Sequence, residues 1–500
     1  MSKPKVIIIG GGLGGLMSGA LLSKEGFQVS LLEKQHNIGG GLQSYRRGGV
    51  VFDTGMHILG GMSSGGNIFK ICQYLDISDD FVCMDIDSKS GVSLYVDSEK
   101  KSYLLDMSRE GFVDSLSTYF PSEKEHLSQY LSSIYSIIDE LDLFHLRKPT
   151  HSFFEHSDNY DIAANQLLDK FFDDERLKSV IACINTLYAG EENITPSYLH
   201  AAISMVFMNV ASRIAGGYSN FAKALVNVIE QNGGVVKTGA EVVEIKTTER
   251  KFCGVKLANQ EEIAADYCIS AIPPSEMISL VDNPRLFSKA YRNLIEQRND
   301  SLSAFVVNIK LKEHCLRYFN SIGFYYKDYD SAWTASDGQT IDKFMYMTPP
   351  TESQGKWAAT LSITALMKWS AVEAWESTIC GRRNESYYAW KEQLCNNLIE
   401  QMNHVIPGFS NMVESIDAAS PLTIRDYTSV RHGAMCGNRN ESGNLFGSLL
   451  PVKTKIENLL LTGQSNHMHG FCGVSLTAIE TVEAIVGEGV VIDKINQFVR

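Results

Sequence analysis

The chain has 500 residues, 44% of them hydrophobic and 21% charged, which is the composition of globular protein long enough for about two or three domains. A formal net charge of −13 opposes binding to phosphate backbones, so nucleic acid is excluded as a partner. Ten cysteines, scattered from Cys72 to Cys472 without a C-x-x-C pair, fit a reducing compartment better than a disulfide framework or a zinc site, and no run is long and apolar enough to span a membrane.

The first definite signature is Lys5 to Lys34, KVIIIGGGLGGLMSGALLSKEGFQVSLLEK. Val6 to Ile9 are β-branched and apolar, which predicts a strand buried on both faces rather than a signal peptide, because glycine follows at once. Gly10, Gly12 and Gly15 then spell G-x-G-x-x-G, with Leu13 and Gly14 inside the turn. The first glycine allows the tight turn, the second lets the backbone approach a pyrophosphate, and the third lets the helix sit close on the strand. The helix N-terminus offers N–H groups and positive dipole charge to phosphates. Gly26 ends the helix, Val29 to Leu32 form a second strand, and Glu33 stands at its end with Lys34 beside it. A carboxylate there accepts hydrogen bonds from a ribose diol and repels a 2′-phosphate, so the adenosine diphosphate of FAD or NAD is favoured over NADP.

Farther along, Ile38-Gly39-Gly40-Gly41 is followed by RGGVVFDTGMHILGG, Arg47 to Gly61. With the opening unit, these residues resemble the FAD-binding phytoene desaturase, carotenoid isomerase and all-trans-retinol saturase family, within the wider amine oxidase fold. FDTGMHILG, Phe52 to Gly60, is most similar to the retinol saturase and carotenoid isomerase side. The resemblance continues through Gly216 to Ile245, Ser420 to Thr428 (SPLTIRDYT) and Leu461 to Thr477 (LTGQSNHMHGFCGVSLT). It implies an α/β fold: a glutathione-reductase-like, Rossmann-type FAD domain, discontinuous over residues 1–85, 210–285 and 440–500, with an α+β substrate or lid domain, containing a mixed sheet, over 86–209 and 286–439. It also implies FAD contacts beyond the first turn. These are Gly40, Gly41, Leu42, Met56 and His57, then Val242 against the adenine, and Gly463, Gln464, Val474 and Leu476 in a second strand, glycine turn and helix that closes the cofactor site. Two positions depart from the family. Desaturases usually carry arginine where Leu42 stands, and most members an acidic residue where Gln464 stands.

Between these landmarks the local signals are plainer. Ser122 and Glu125 have capping-box spacing ahead of an amphipathic helix marked by Leu127, Tyr130, Ile134 and Ile138. Tyr198 to Ser212 predicts a helix whose Met205, Phe207 and Met208 are core or, on a sharper reading, a flexible apolar wall for a long substrate. Leu302 to Lys312 and Trp357 to Ile363 have the pattern of strands, with Pro349-Pro350 between them, and Asn384 to Val405 that of a long helix. Near the C-terminus, Asn458 to Thr462 predicts a strand and Val474 to Val486 a helix.

The expected function is that of an FAD-dependent oxidoreductase moving hydride between flavin N5 and a long apolar polyene or isoprenoid, by saturation, desaturation or double-bond isomerisation. Saturation also needs a proton. His57 is the first candidate donor, because the family places its segment near the isoalloxazine, and Tyr188 and the Arg425-Asp426 pair come next. No second dinucleotide fingerprint appears, so the electron partner is left among oxygen, a quinone, a carrier protein and transiently bound NAD(P)H. His467, His469 and Cys472 invite a metal reading, but a structural site needs a fourth ligand and the surrounding glycines predict a loop shaped by backbone, so no metal is expected. An amine oxidase or porphyrinogen oxidase is the enzymatic alternative, and a lipid-binding escort protein on the same fold the non-enzymatic one. The expected location is cytoplasmic, with peripheral contact on the inner face of a membrane where an apolar substrate resides.

Overall fold

A computed structural model describes residues 3–55, 57–87, 89–149 and 155–498. Its first five-residue strand, Lys5–Ile9, is central in a five-stranded sheet, where apolar residues must fill both faces. Val6, Ile8, Val29 and Leu31 turn to one side and join a core with helices, while Ile7, Ile9 and Leu32 turn to the other and meet Val242, Ile245 and Val255. The sheet order is Leu459–Leu461, Tyr267–Ser270, Lys5–Ile9, Gln28–Leu32, Val235–Lys237, and every pairing is parallel. Residues far apart in the chain therefore share one sheet. Ligands on such sheets bind beyond the carboxyl ends of the strands, where the strand order reverses.

The helix Leu13–Lys24 is buried along most of its length between the helices Ser219–Gln231 and Gly470–Val486. Small residues permit this. A β-carbon on Gly15 would lie 2.0 Å from the Gly10 carbonyl oxygen, and one on Gly19 would lie 2.9 Å from Ile229 Cδ1. The third fingerprint glycine thus fixes how close helix and strand can come.

A second sheet of seven strands runs in the order Val413–Ala419, Ser303–Leu311, Thr360–Met367, Lys343–Met347, Ile322–Tyr326, Val92–Val96, Lys101–Leu105. It is mixed, because Ile322–Tyr326 and Val92–Val96 pair parallel and the other pairs are antiparallel. Phe305, Val307, Phe344 and Tyr346 on one face meet Leu394, Leu398 and Met402 of the long helix Glu385–Val405. Phe324, Tyr326, Met345 and Met347 on the other join a helical layer that includes Lys124–Asp139 and Ser197–Met208.

Several boundaries differ from the sequence expectation. The capping box at Ser122 and Glu125 does not form: Pro121 opens a 3-10 turn, Pro121–Glu123, and the helix begins only at Lys124. The helix expected to reach Ser212 stops at Met208, since Val210 adopts φ +62° and Ser212–Ile214 pairs with Cys83–Asp85 as a strand. Trp357 bridges to Arg317, so the strand expected from that residue starts at Thr360. The C-terminal helix begins at Gly470 rather than Val474.

Gly15→Ala tests the closeness of the first turn. The added methyl group must push the helix off the strand, an overpacking cost of about 3 kcal/mol in denaturant unfolding. Unfolding free energy within about 0.5 kcal/mol of the parent would show that the turn is not constrained there.

Candidate functional site

The strand ends open into one cavity of about 1250 Å³, larger than the roughly 300–1,000 Å³ usual for a single ligand. Gly10 turns the chain at φ +102° and Gly463 turns it at φ +107°, each directing a following helix N-terminus toward the cavity. The two turns touch: a β-carbon on Gly14 would sit 3.1 Å from Gly463 Cα. One on Gly12 would meet nothing within 4 Å, so the second fingerprint glycine leaves backbone open to a ligand. The loop of the second glycine group folds back on this turn, with the Gly39 N–H donating to the Gly11 carbonyl at 2.8 Å and Gly40 at φ +56°.

Glu33 lines the cavity with its carboxylate already oriented. Oε2 accepts from the Gly11 N–H at 2.7 Å and Oε1 from the Gln35 N–H at 2.8 Å. Lys34, Gly41, Leu42, Val242, Gln464 and Val474 also line the cavity. The Lys34 ammonium donates to Ser429 Oγ at 2.5 Å and pairs with Glu276 at 3.5 Å. Leu42 is 1% exposed, so the position that carries arginine in desaturases is apolar here and joins the core. Neither helix facing the cavity from these turns carries an acidic residue in its first turn. Open backbone, dipole charge and an anchored carboxylate together suit a dinucleotide with its ribose at Glu33 and its phosphates at Gly12. Two expected contacts lie elsewhere: Gly15 and Leu476 are absent from the lining and act in helix packing, because Leu476 points into the core from the second helix. Met56 falls outside the described residues.

Beyond His57 the cavity becomes apolar. Leu199, Ala202, Ile203 and Val206, which share one face of the helix Ser197–Met208, form its wall, with Leu187 and Met345 nearby. Met208 is buried in the core and away from this cavity, as is Met205, so aliphatic residues and not these methionines make the wall. The acidic residues lining the cavity, Glu33, Glu241, Glu276 and Asp417, belong to the nucleotide side or to the edge strand Val413–Ala419.

His57 lines the junction of the two regions. Burial, assisted by the nearby Arg213 guanidinium, pushes its imidazole down to about 4, so it is neutral at physiological pH. Tyr188 is not brought to the cavity. Its hydroxyl bonds His200 Nδ1 at 2.8 Å, while His200 Nε2 meets the Tyr130 hydroxyl at 2.6 Å, a buried chain behind the wall. Arg425 and Asp426 are also turned away and bond each other. In the C-terminal loop, His467 pairs with Glu480 at 2.9 Å, and Cys472 accepts a hydrogen bond from Asn67 at 3.4 Å. His469 does line the cavity, with Nδ1 buried and unbonded and the ring pushed by burial down to about 4. Among the described residues no group of three or more His, Cys, Asp or Glu is arranged to hold a metal ion. Sequence reasoning missed Arg383, Tyr387 and Lys391, which line the outer part of the cavity; Tyr387 and Lys391 at i, i+4 put two of them on one helix face, a signal present in the sequence but without a motif.

The sequence profile of the family described as flavin containing amine oxidoreductase matches residues 13–485. All-trans-retinol 13,14-reductase of Macaca fascicularis is 23% identical over 97% of this chain and 86% of its own. Prolycopene isomerase 2 of an Oncidium hybrid cultivar is 28% identical over 53% of this chain and 47% of its own. A solved oxidoreductase from Methanosarcina mazei covers 96% of this chain, and 100% of its own length is matched, with TM-score 0.66 and 16% identity. No helix of the described residues is long and apolar enough to cross a membrane.

Glu33→Ala removes the carboxylate and leaves two backbone N–H groups unpaired, so FAD affinity falls by about 2 kcal/mol, roughly thirtyfold, in fluorescence titration of the apoprotein. Affinity equal to the parent would remove Glu33 from the ribose site. Because His57 is neutral above about pH 4, the turnover profiles of the parent and His57→Asn keep the same shape between about pH 5 and 8. A limb in that range that disappears with the imidazole would show that His57 titrates during turnover.

Proposed function

The chain belongs to the flavin containing amine oxidoreductase family, and on that premise we propose that this FAD-dependent oxidoreductase acts on a long apolar polyene or isoprenoid, by double-bond saturation, desaturation or isomerisation. The observation that carries this reading is the apolar wall of Leu199, Ala202, Ile203 and Val206, continuous with the dinucleotide turn and free of acidic side chains. An amine substrate calls for anionic or aromatic anchors at that wall, and aliphatic groups occupy it. The names of the relatives, a retinol reductase and a prolycopene isomerase, agree with an unsaturated apolar substrate.

Bound FAD supplies hydride donation or acceptance at N5. The protein's part is to orient and exclude water. Gly12 and the helix N-terminus at Leu13 would hold the phosphates of FAD, Glu33 its ribose and Val242 its adenine, all of them lining the cavity. The N-terminus of Gly470–Val486 lines the cavity and would stabilise with positive dipole charge the negative charge of a reduced flavin held there. The aliphatic wall fixes the polyene by shape, and neutral His57 orients whatever polar atom reaches the junction. In this reading residues 1–85, 210–285 and 440–500 serve the cofactor and the remainder the substrate. The electron partner is drawn from quinones, NAD(P)H or another donor or acceptor, and the protein meets its substrate at a membrane surface.

The test is anaerobic photoreduction of the flavin, followed by addition of polyenes in turn. Return of the oxidised flavin spectrum with a product two hydrogens heavier marks saturation, and a product of unchanged mass marks isomerisation. Reduced flavin that no polyene reoxidises, oxidised flavin that no polyene bleaches, no isomerised product and, in air, peroxide release with amines would sink the proposal.

A further inference from the structure

The outer part of the cavity has a different chemistry from the apolar wall. Arg383 precedes the helix Glu385–Val405 and lines the cavity with a side chain only 3% exposed. Its terminal nitrogen pairs with Asp426, the Cys380 thiol is near, and its guanidinium lies 5.0 Å from the Tyr387 ring centre, yet Nε is buried without a hydrogen-bond partner among the described residues. Lys391, one helical turn beyond Tyr387, lines the same cavity, half-buried. It makes no hydrogen bond or ion pair to a described residue.

Arg383 takes one oxygen of Asp426 and Arg425 the other, and neither nearby carboxylate is left for Lys391. Asp417 accepts from the Tyr45 hydroxyl at 2.7 Å and pairs with Arg47, while Asp426 is shared between Arg383 and Arg425. Burial, with Arg383 adding repulsion, holds the Lys391 ammonium below its ordinary value although Asp417 is near. A half-buried cation without a partner beside a buried guanidinium with a free N–H is costly until an anion arrives. It is the more conspicuous in a chain of net charge −13.

We propose that the substrate is an amphipathic anion, a long unsaturated chain whose carboxylate is held by Arg383 and Lys391 while its apolar tail runs along the Leu199–Val206 face. One free N–H on Arg383 and one ammonium offer a donor to each carboxylate oxygen. Tyr387 flanks the head, and the tail continues inward past the strand Ser303–Leu311, whose Ala304 and Val306 also line the cavity. This deepens the polyene reading of the same cavity and rests on it.

The test uses the FAD-loaded enzyme and two ligands that share a polyene and differ in the head, all-trans-retinoic acid and all-trans-retinol, with binding followed by perturbation of the flavin absorbance. The acid binds about tenfold or more tightly than the alcohol, the scale of a hydrogen-bonded charge. That preference shrinks to within about twofold in Lys391→Gln and persists in Lys391→Arg, which keeps the charge and guards against a folding defect. Equal affinities of acid and alcohol in the parent enzyme overturn the proposal and leave the polyene reading standing. Binding of neither ligand overturns the polyene reading itself. Displacement of bound acid by equimolar NADPH assigns these cations to a nucleotide phosphate and overturns the proposal as well.

Discussion

The contact on which the rest of the molecule depends is one between backbones. Gly14 and Gly463 meet with no side chain between them, and Gly15 rests against the Gly10 carbonyl. Two strand-turn-helix units separated by most of the chain are thereby held with both helix N-termini on one cavity. A β-carbon on Gly14 or Gly15 would press the two units apart, and the positive dipole ends would no longer converge on the cavity. The parallel sheet gains its burial on both faces from the same arrangement, since the helix Leu13–Lys24 can sit deep only where glycines let it approach.

The seven-stranded sheet adds a second, broader apolar surface, in which Lys343 is buried against Asn185 Oδ1 and the Ala332 carbonyl. Its two faces are divided between the helix Glu385–Val405 and the layer that carries the aliphatic wall. Burial in such a place acts on every ionisable group in the same direction, toward neutrality. His57 and His469 are both driven down to about 4, and the Tyr188 hydroxyl is pushed well above its usual range. The inner cavity is therefore a place where shape and hydrogen-bond direction, rather than fixed charge, govern what binds. Charge lines its nucleotide side, at Glu33, Lys34, Glu241 and Glu276, and its outer part, where Arg47, Arg383, Lys391 and Asp417 stand.

Much of this was legible in the residues themselves. The apolar run Val6 to Ile9, the glycine spacing after it and Glu33 locate a dinucleotide turn because each has a short-range physical task. The helix from Asn384 is capped as its sequence suggests, with the Asn384 side chain accepting from the Tyr387 N–H at 3.2 Å. What the sequence hid depends on direction within an element. Tyr188 and Leu187 are neighbours, yet one faces His200 and the other the cavity. Val474 faces the cavity and Leu476 the core, because residues two apart on a helix point to opposite sides. The spacing of Leu199, Ala202, Ile203 and Val206 is present in the chain, but nothing in it tells which helix face meets a cavity, while Met205 and Met208 are core.

The order of the parallel sheet also bears on how the chain reaches this state. The strand Tyr267–Ser270 receives its outer neighbour, Leu459–Leu461, only after nearly two hundred further residues have been made. Until then an apolar edge with unpaired N–H and C=O groups stands open beside the Rossmann half, the kind of template on which other chains add strands. Closing that edge requires a contact of very high sequence separation, which slows folding. The same late strand brings Gly463 and its helix, so sealing the edge also closes the cavity that these residues line. Cofactor present at that moment would bind only the sealed form and draw the chain forward by mass action.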